Sequence, residues 1–185
     1  MRSTRSKLIA SAVILALLGV VASGTVHSAF STTTSNPGNA YGAGTVALSD
    51  NDSGSSLFTM SNLKPGDTLT KCIKVDYTGS LSSAVRLYGT TGGTGLDQYL
   101  DVVVRRGSFP GAPPASNACT GFSSVATIHN GTLQAFPDSY AAGLNEGTWT
   151  NGTSNVYEIT VTLQDNNAAQ GLTATQTFTW EARSS

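Results

Sequence analysis

Hydrophobic and polar residues alternate along much of the chain, and the period of two residues is that of a β-strand. The alternation is clearest in Thr68–Tyr77, Val156–Gln164 and Thr175–Ala182. In the last of these segments, Phe178 and Trp180 alternate with threonines, so that one face is apolar and the other is polar. The helical period of 3.6 residues hardly occurs. The pattern therefore predicts strands that each bury one face.

Shorter segments of the same character occur along the rest of the chain. They are Gly44–Ser49, Ser56–Leu63, Ala84–Tyr88, Leu100–Arg105 and Val125–His129. Turn sequences such as Pro65-Gly66-Asp67 and Asn130-Gly131 separate the segments. Roughly seven to nine short strands of this kind predict an all-β fold, a jelly-roll-like antiparallel β-sandwich. One short helix is expected at Gly95–Leu100 and one long Pro-rich loop at Gly107–Gly121.

The first 28 residues have the layout of a secretory signal peptide. Three basic residues precede an apolar run from Leu8 to Ala22, which is shorter than the about 20 residues that a membrane span needs. Cleavage between Ser28 and Ala29 places Val26 and Ser28 at the two positions that favour small side chains. A signal peptidase would then release the chain outside the cell. If the leader were not cleaved, it would be the chain's contact with the membrane.

Removal of the leader changes the charge. Seven basic and eleven acidic residues remain, a net charge of −4. A mildly acidic chain whose one basic doublet is Arg105–Arg106 does not have the basic surface that nucleic-acid binding requires. We therefore predict a signal peptide at residues 1–28, an extended N-terminal segment at 29–39 and one β-sandwich domain at 40–185.

The two cysteines, Cys72 and Cys119, lie in different surroundings. Cys72 is on the face of its strand opposite Ile73 and Val75, and Cys119 is in the Pro-rich loop. Because paired cysteines are common in exported proteins, we predict a disulfide that fixes the loop over the outer face of the sheet. The alternative is a nucleophile or a metal ligand. His129 is the single histidine left after the leader is removed, whereas zinc sites use several Cys and His ligands.

Motifs for catalysis are missing from the sequence. The chain has no HExxH, no GxSxG and no phosphate-binding loop, so that no catalytic residue, metal ligand or cofactor is predicted. Asp50 to Asp52 resembles the start of a calcium loop, but position 61 is Ser where the bidentate glutamate would be needed. A solvated turn is the competing interpretation. Asp97 and Asp101 lie four residues apart, but no cleft is indicated around them.

Two blocks of sequence resemble the TasA/camelysin family of secreted bacterial proteins. The first, AFSTTTSNPGNAYGAGTVALS, begins at Ala29, and the second is NLKPGDTLTKCIKVDYTGSL. The most specific matching residues are Asn62, Leu63, Lys64, Pro65, Gly66, Asp67, Gly79, Ser80 and Leu81. The resemblance covers residues 29–105 and 158–182. Residues 107–150 depart from the family's pattern, and Cys119 lies in this part.

The resemblance implies a jelly-roll subunit that a dedicated signal peptidase processes and that reaches the cell surface or extracellular matrix. Members of the family assemble into fibres of the biofilm matrix. Some relatives are named camelysins and are classed as metallopeptidases. Because this sequence offers no set of metal ligands, the peptidase activity is not carried over. The partners implied are other copies of the chain and other matrix or surface proteins.

A physical route to fibres follows from the N-terminal segment. Cleavage frees AFSTTTSNPGN, in which Ala29, Phe30, Ser31, Thr32, Thr33 and Thr34 favour extended backbone before Pro37-Gly38 separates them from the domain. A free extended segment can add to the open edge of a neighbouring sheet through main-chain hydrogen bonds. The competing interpretation is a frayed terminus.

Three hypotheses on function follow from the sequence. The chain is a structural fibre subunit, a camelysin-like metallopeptidase, or a monomeric module that holds glycans through exposed aromatic residues such as Tyr41, Tyr140 and Trp149.

Overall fold

The alternating segments form eight β-strands in a computed structural model of the chain, which describes residues 43–52, 55–111 and 117–184. The strands are β1 (Leu48–Asp50), β2 (Thr68–Tyr77), β3 (Ser83–Gly93), β4 (Leu100–Ser108), β5 (Ser123–Thr132), β6 (Leu144–Trp149), β7 (Ser154–Leu163) and β8 (Ala174–Ser184). Short 3₁₀ turns occupy Leu96–Tyr99, Leu133–Ala135 and Asn167–Ala169. The predicted leader and the segment Ala29–Asn39 lie outside the described residues.

The strands form two antiparallel sheets. The larger sheet has the order β1-β2-β7-β4-β5 and the smaller one has the order β6-β3-β8. Most successive strands alternate between the two sheets, as in a jelly roll. The predicted all-β sandwich is therefore confirmed. All described residues belong to one unit, Gly42–Ser185. No helix among the described residues is long and apolar enough to cross a membrane.

The core lies between the sheets and consists of the inward residues of the alternating segments. Ile73, Val75 and Tyr77 of β2 contribute one row, and Val102 and Val104 of β4 contribute another. All five are at most 3% exposed. Burial of each such side chain contributes about 1.5–3 kcal/mol, which is why the two-residue pattern decides which face turns inward.

Some predicted strands differ from those observed. Ser56–Leu63 is not a strand: its apolar residues include the neighbours Leu57 and Phe58, which both pack against the core, so that the segment follows the core as a loop. Of Gly44–Ser49, only Leu48 and Ser49 pair, within β1. Strand β6 was not expected, because Glu146 is buried and Gly147 has a positive φ of 81°, which breaks the alternation. The helix expected at Gly95–Leu100 is the 3₁₀ turn Leu96–Tyr99.

Candidate functional site

The outer edge of β8 is the longest regular strand edge that the described residues leave open. β8 pairs with β3 over eleven residues, from Ser184 opposite Ser83 to Ala174 opposite Gly93, without a register shift. No other strand of the described part of the chain pairs with it. Greek-key connections usually bring the last strand back beside the first. Here β1 pairs with β2 instead, so that the position beside β8 holds no described strand.

The backbone of β3 shows which groups of β8 point outward. The N–H of Gly89 donates to the carbonyl of Pro137 at 2.9 Å and therefore points away from β8. Phe178 is the partner of Gly89 in the antiparallel register. Since residues opposite each other either exchange hydrogen bonds or both point away, the N–H and C=O of Phe178 face the open edge. The N–H and C=O groups of Gln176 and Trp180, two residues before and after Phe178, also face the open edge.

A groove of about 520 Å³ runs between this edge and β1. Ile73 and Val75 of β2 line it, and Phe178 and Trp180 of β8 also contribute. The two aromatic side chains are only partly buried, although the Trp180 ring lies 5.1 Å from that of Tyr157 in the core. The groove thus combines unpaired main-chain groups with an apolar lining.

The other strand edges are protected in the ways that natural sheets use against unwanted pairing. β5 carries two irregularities opposite β4, at Ile128 and at Val125, which have no partner in the register. β6 has six residues and a register shift against β3. β1 has three residues. Bulges and short strands both discourage the addition of another strand, and the edge of β8 has neither.

The end of the second family block, Gly79 to Leu81, contacts the backbone just ahead of β1. The N–H of Thr45 donates to Ser80 Oγ at 2.8 Å, and the N–H of Leu81 donates to the carbonyl of Thr45 at 3.2 Å. A side chain at Gly79 would collide with the Tyr77 hydroxyl and the Thr45 carbonyl, so that only glycine fits there. Residues Gly79 to Leu81 therefore hold the backbone at Thr45 in place, just ahead of β1.

The block Asn62–Asp67 forms the turn that starts β2. Pro65 and Gly66 occupy its centre, and Gly66 has a φ of 83°, the geometry of a type II turn. The Asp67 carboxylate accepts the N–H of Lys64 at 2.7 Å, and Gly66 donates to the carbonyl of Leu163 at 2.8 Å. This block therefore has a structural role: it ties the start of β2 to the end of β7.

The structure contains the predicted disulfide between Cys72 and Cys119, whose Cα atoms are 5.2 Å apart. Within the described part of the chain, Cys72, Cys119 and Glu158 form the single group of three side chains of metal-ligating type whose ligand atoms lie close together. The group does not fit a metal, because disulfide sulfurs have no thiolate to offer. Glu158 is also paired with Arg105 at 2.9 Å.

Asp50 and Asp101, one from each acidic pair singled out in the sequence, accept hydrogen bonds within the fold. Asp50 accepts the N–H of Asp52 at 3.2 Å, and Asn51 Oδ1 accepts the N–H of Lys74 at 2.8 Å, so that this stretch is a turn at the sheet edge. Asp101 accepts Gln164 Nε2 at 2.7 Å. Asp97 lies on the neighbouring 3₁₀ turn. Neither pair forms a catalytic arrangement with the contacts described.

His129 lies on β5 with its ring edge-on to Phe136, 4.9 Å between centroids. Its Nε2 is buried and has no hydrogen-bond partner. Burial lowers the pKa of His129, against the smaller effect of a hydrogen bond with the backbone of Thr132. The imidazole therefore contributes to packing.

A buried polar cluster that the sequence did not indicate surrounds Glu146. Its Oε2 accepts the Tyr157 hydroxyl at 2.8 Å and Arg106 Nη1 at 3.2 Å, while Oε1 is buried without a partner. Burial raises the pKa of Glu146, although Tyr157 and Arg106 oppose the shift. Burial and the neighbouring carboxylate also raise the pKa of Tyr157. The cluster joins β6 to β4 and β7 across the core.

Of the aromatic residues expected to be exposed, the structure describes Trp149 and Tyr140. Trp149 is 1% exposed and donates from Nε1 to the Glu146 carbonyl at 3.1 Å, so that the expectation of an exposed ring is wrong. Tyr140 lies under Arg183, whose guanidinium carbon is 3.9 Å from the ring centroid, and Arg86 lies nearby. Tyr41 lies outside the described residues.

A comparison with protein families gives a match over the N-terminal part of the chain. Residues 4–92 match the family model described as camelysin metallo-endopeptidase. This range includes most of the predicted leader, the segment Ala29–Asn39 and both family blocks, and it ends within β3. No curated protein matches the chain.

Proposed function

The chain belongs to the TasA/camelysin family, and from that premise we propose that it is a secreted structural subunit of cell-surface or biofilm-matrix fibres. Its leader is removed between Ser28 and Ala29. The freed segment Ala29–Asn39 of one copy then adds as a strand to the β8 edge of the next copy. The proposal predicts neither a catalytic residue nor a cofactor.

The open edge of β8 is the observation that supports this proposal most. It offers a regular strand of eleven residues, which is long enough to pair along the whole of Ala29–Thr34, the part of the donor segment that favours extended backbone. The part of β8 from Ala174 to Trp180 has no charged side chain, and Ala29–Asn39 has none either, so that the α-ammonium group freed at Ala29 is the one charge of the donor segment. A long uncharged edge without a bulge is a template for strand addition.

The side chains of the two segments are also complementary. In an extended Ala29–Thr34, Phe30, Thr32 and Thr34 share one face. When this face turns toward the groove, Phe30 meets the apolar lining of Phe178 and Trp180. Burial of one phenylalanine contributes about 1.5–3 kcal/mol, and each main-chain hydrogen bond adds about 0.5–1.5 kcal/mol.

The geometry of such a contact leads to a filament. The donor segment and the acceptor edge are different surfaces, so that each copy can donate to one neighbour and accept from another. Contacts of this head-to-tail kind produce open polymers unless the rotation between copies closes a ring.

The direct test compares the mature chain with a chain that lacks Ala29–Asn39, with electron microscopy as the readout. We expect filaments from the mature chain and none from the trimmed chain. A matched variant of full length, Phe30→Asp, should lower the yield of filaments because it places a charge in the apolar groove. Equal polymerisation of the trimmed chain would refute the proposal.

The description of the matching family favours a second candidate function, a metallo-endopeptidase. The described residues offer no fitting set of ligands, as shown for Cys72, Cys119 and Glu158. Cleavage of casein by the purified mature chain, with and without a chelator, distinguishes the candidates. Chelator-sensitive cleavage would support the peptidase, and its absence together with filaments would support the structural subunit.

A further inference from the structure

Besides β8, strand β2 has an edge that could accept an incoming strand, on the side where it pairs with β1. β1 pairs only with Val75–Tyr77, so that the rest of β2 extends beyond it. The N–H of Tyr77 donates to Thr153 on the β7 side, whereas that of Thr78 donates to Ala47 on the β1 side. Because the direction alternates along a strand, the N–H groups of Asp76, Lys74 and Cys72 all face the β1 side.

Two of these outward groups are occupied by partners that are not strands. The N–H of Lys74 donates to Asn51 Oδ1 at 2.8 Å, and that of Cys72 donates to the carbonyl of Asn117 at 2.9 Å. Asn117 has a positive φ of 58°, a conformation that asparagine tolerates better than most residues. Two residues later, Cys119 is covalently joined to Cys72.

The segment Asn117–Cys119, here termed the edge cap, therefore has two attachments to one residue of β2. Its carbonyl occupies the position that the carbonyl of an incoming strand would need. The disulfide prevents the edge cap from leaving without bond cleavage, so that an incoming strand cannot displace it by competition for the hydrogen bond alone.

We propose that the disulfide-held edge cap closes β2 to strand addition and so restricts each subunit to one acceptor edge, that of β8. The inference rests on the proposed function and extends it to the regulation of assembly. A subunit with one acceptor edge builds a linear fibre. A subunit with two acceptor edges would accept a second donor segment on the side of the fibre and produce branches.

The test uses fibres of the mature chain and a gold-labelled peptide with the sequence of Ala29–Asn39. In wild-type fibres each β8 edge is filled except at one end, so that we expect the label at fibre ends only. In fibres of the double variant Cys72→Ser/Cys119→Ser, we expect label along the sides, approaching one peptide per subunit. Label at the ends alone in the double variant would overturn the inference.

A second experiment tests the inference without the double variant, in case Cys72→Ser/Cys119→Ser fails to fold. Preformed wild-type fibres are treated with a phosphine reductant, and the same peptide is added. Side labelling after reduction supports the edge cap, and its absence, with reduction verified by thiol alkylation, counts against it.

A matched set of variants separates β2 from β8. Gln176→Pro alone, which weakens strand addition to β8, should bind the peptide at least about tenfold more weakly than the wild-type edge does. Gln176→Pro combined with Cys72→Ser and Cys119→Ser should bind one peptide per chain. If wild-type fibre ends fail to bind peptide, the proposed function fails. If the ends bind but the triple variant does not, only the present inference fails.

Discussion

Substitution of Gln176 by proline tests the role of the β8 edge without removal of a core side chain. The N–H of Gln176 faces the open edge, as derived from Phe178, so that its loss breaks no bond to β3. Proline is tolerated in edge strands where the N–H points to solvent. Two side-chain hydrogen bonds are lost: Thr91 Oγ1 donates to Gln176 Oε1 at 2.5 Å, and Gln176 Nε2 donates to the Thr177 carbonyl at 3.3 Å. Both are exposed, and the loss of each costs about 0.5–1.5 kcal/mol of folding free energy at most.

The cost to assembly is larger. Proline removes one main-chain donor from the acceptor edge, about 0.5–1.5 kcal/mol, and leaves a carbonyl of the donor strand unpaired in the contact, about 1–3 kcal/mol more. The sum is roughly 1.5–4.5 kcal/mol, and about 1.4 kcal/mol corresponds to a tenfold change in affinity. We therefore expect the critical concentration for filament formation to rise about tenfold or more.

Thr177→Pro is the matched control one residue away. Thr177 pairs with Thr90, and its N–H faces β3, so that proline there removes a bond of the sheet itself. We expect Thr177→Pro to lower the thermal midpoint clearly and Gln176→Pro to lower it only slightly. Sedimentation of filaments over a concentration series gives the critical concentration, and thermal unfolding gives the stability. Gln176→Pro filaments that form at the wild-type concentration would refute the assignment of the edge.

Three further predictions concern the disulfide, the buried carboxylate and the leader. Reduction of Cys72–Cys119, which are 47 residues apart, should lower the free energy of unfolding by about 4 kcal/mol in the chain-entropy estimate, as measured by denaturant titration with and without reductant; an unchanged midpoint would contradict it. The raised pKa of Glu146 means that the folded chain binds a proton on this carboxylate more tightly than the unfolded chain does. Protonation of Glu146 therefore contributes its full stabilisation of the fold below the ordinary pKa of 4.5, and this contribution is lost as the pH rises through the raised pKa. Glu146→Gln should therefore gain stability relative to wild type as the pH rises from 4 to 8, and parallel curves of thermal midpoint against pH would count against this reasoning. Mass spectrometry of the exported chain should find Ala29 at the N-terminus, and any other first residue would refute the predicted cleavage.

The fold could be predicted because its core depends on a simple period. The inward residues of Thr68–Tyr77 and Val156–Gln164 are those that the alternation selects, and both segments are strands of the central part of the larger sheet. The prediction failed where another interaction decided the structure. Leu57 and Phe58 reach the core from a loop, and β6 contains Glu146, whose burial depends on Tyr157 and Arg106 from distant parts of the chain.

The candidate site was predictable only in part. The disulfide follows from the presence of two cysteines. The donor segment, which lies outside the described residues, stays a prediction from composition. The open edge of β8 does not follow from the sequence, because the pattern of β8 shows which face is buried but not which neighbour is missing. That information lies in the pairing of β1 with β2 and in the register between β8 and β3. The edge cap likewise depends on a contact between Cys72 and Asn117, far apart in sequence.

The most direct measurement of the central claim is a photo-crosslink from the donor segment. A photoreactive phenylalanine analogue replaces Thr32, and filaments are formed from an equal mixture of isotopically light and heavy chains before irradiation. The account predicts that crosslinked peptides join position 32 to residues 174–180 and that half of them combine a light with a heavy chain. Crosslinks confined to chains of one isotope, or joined to another surface, would contradict it.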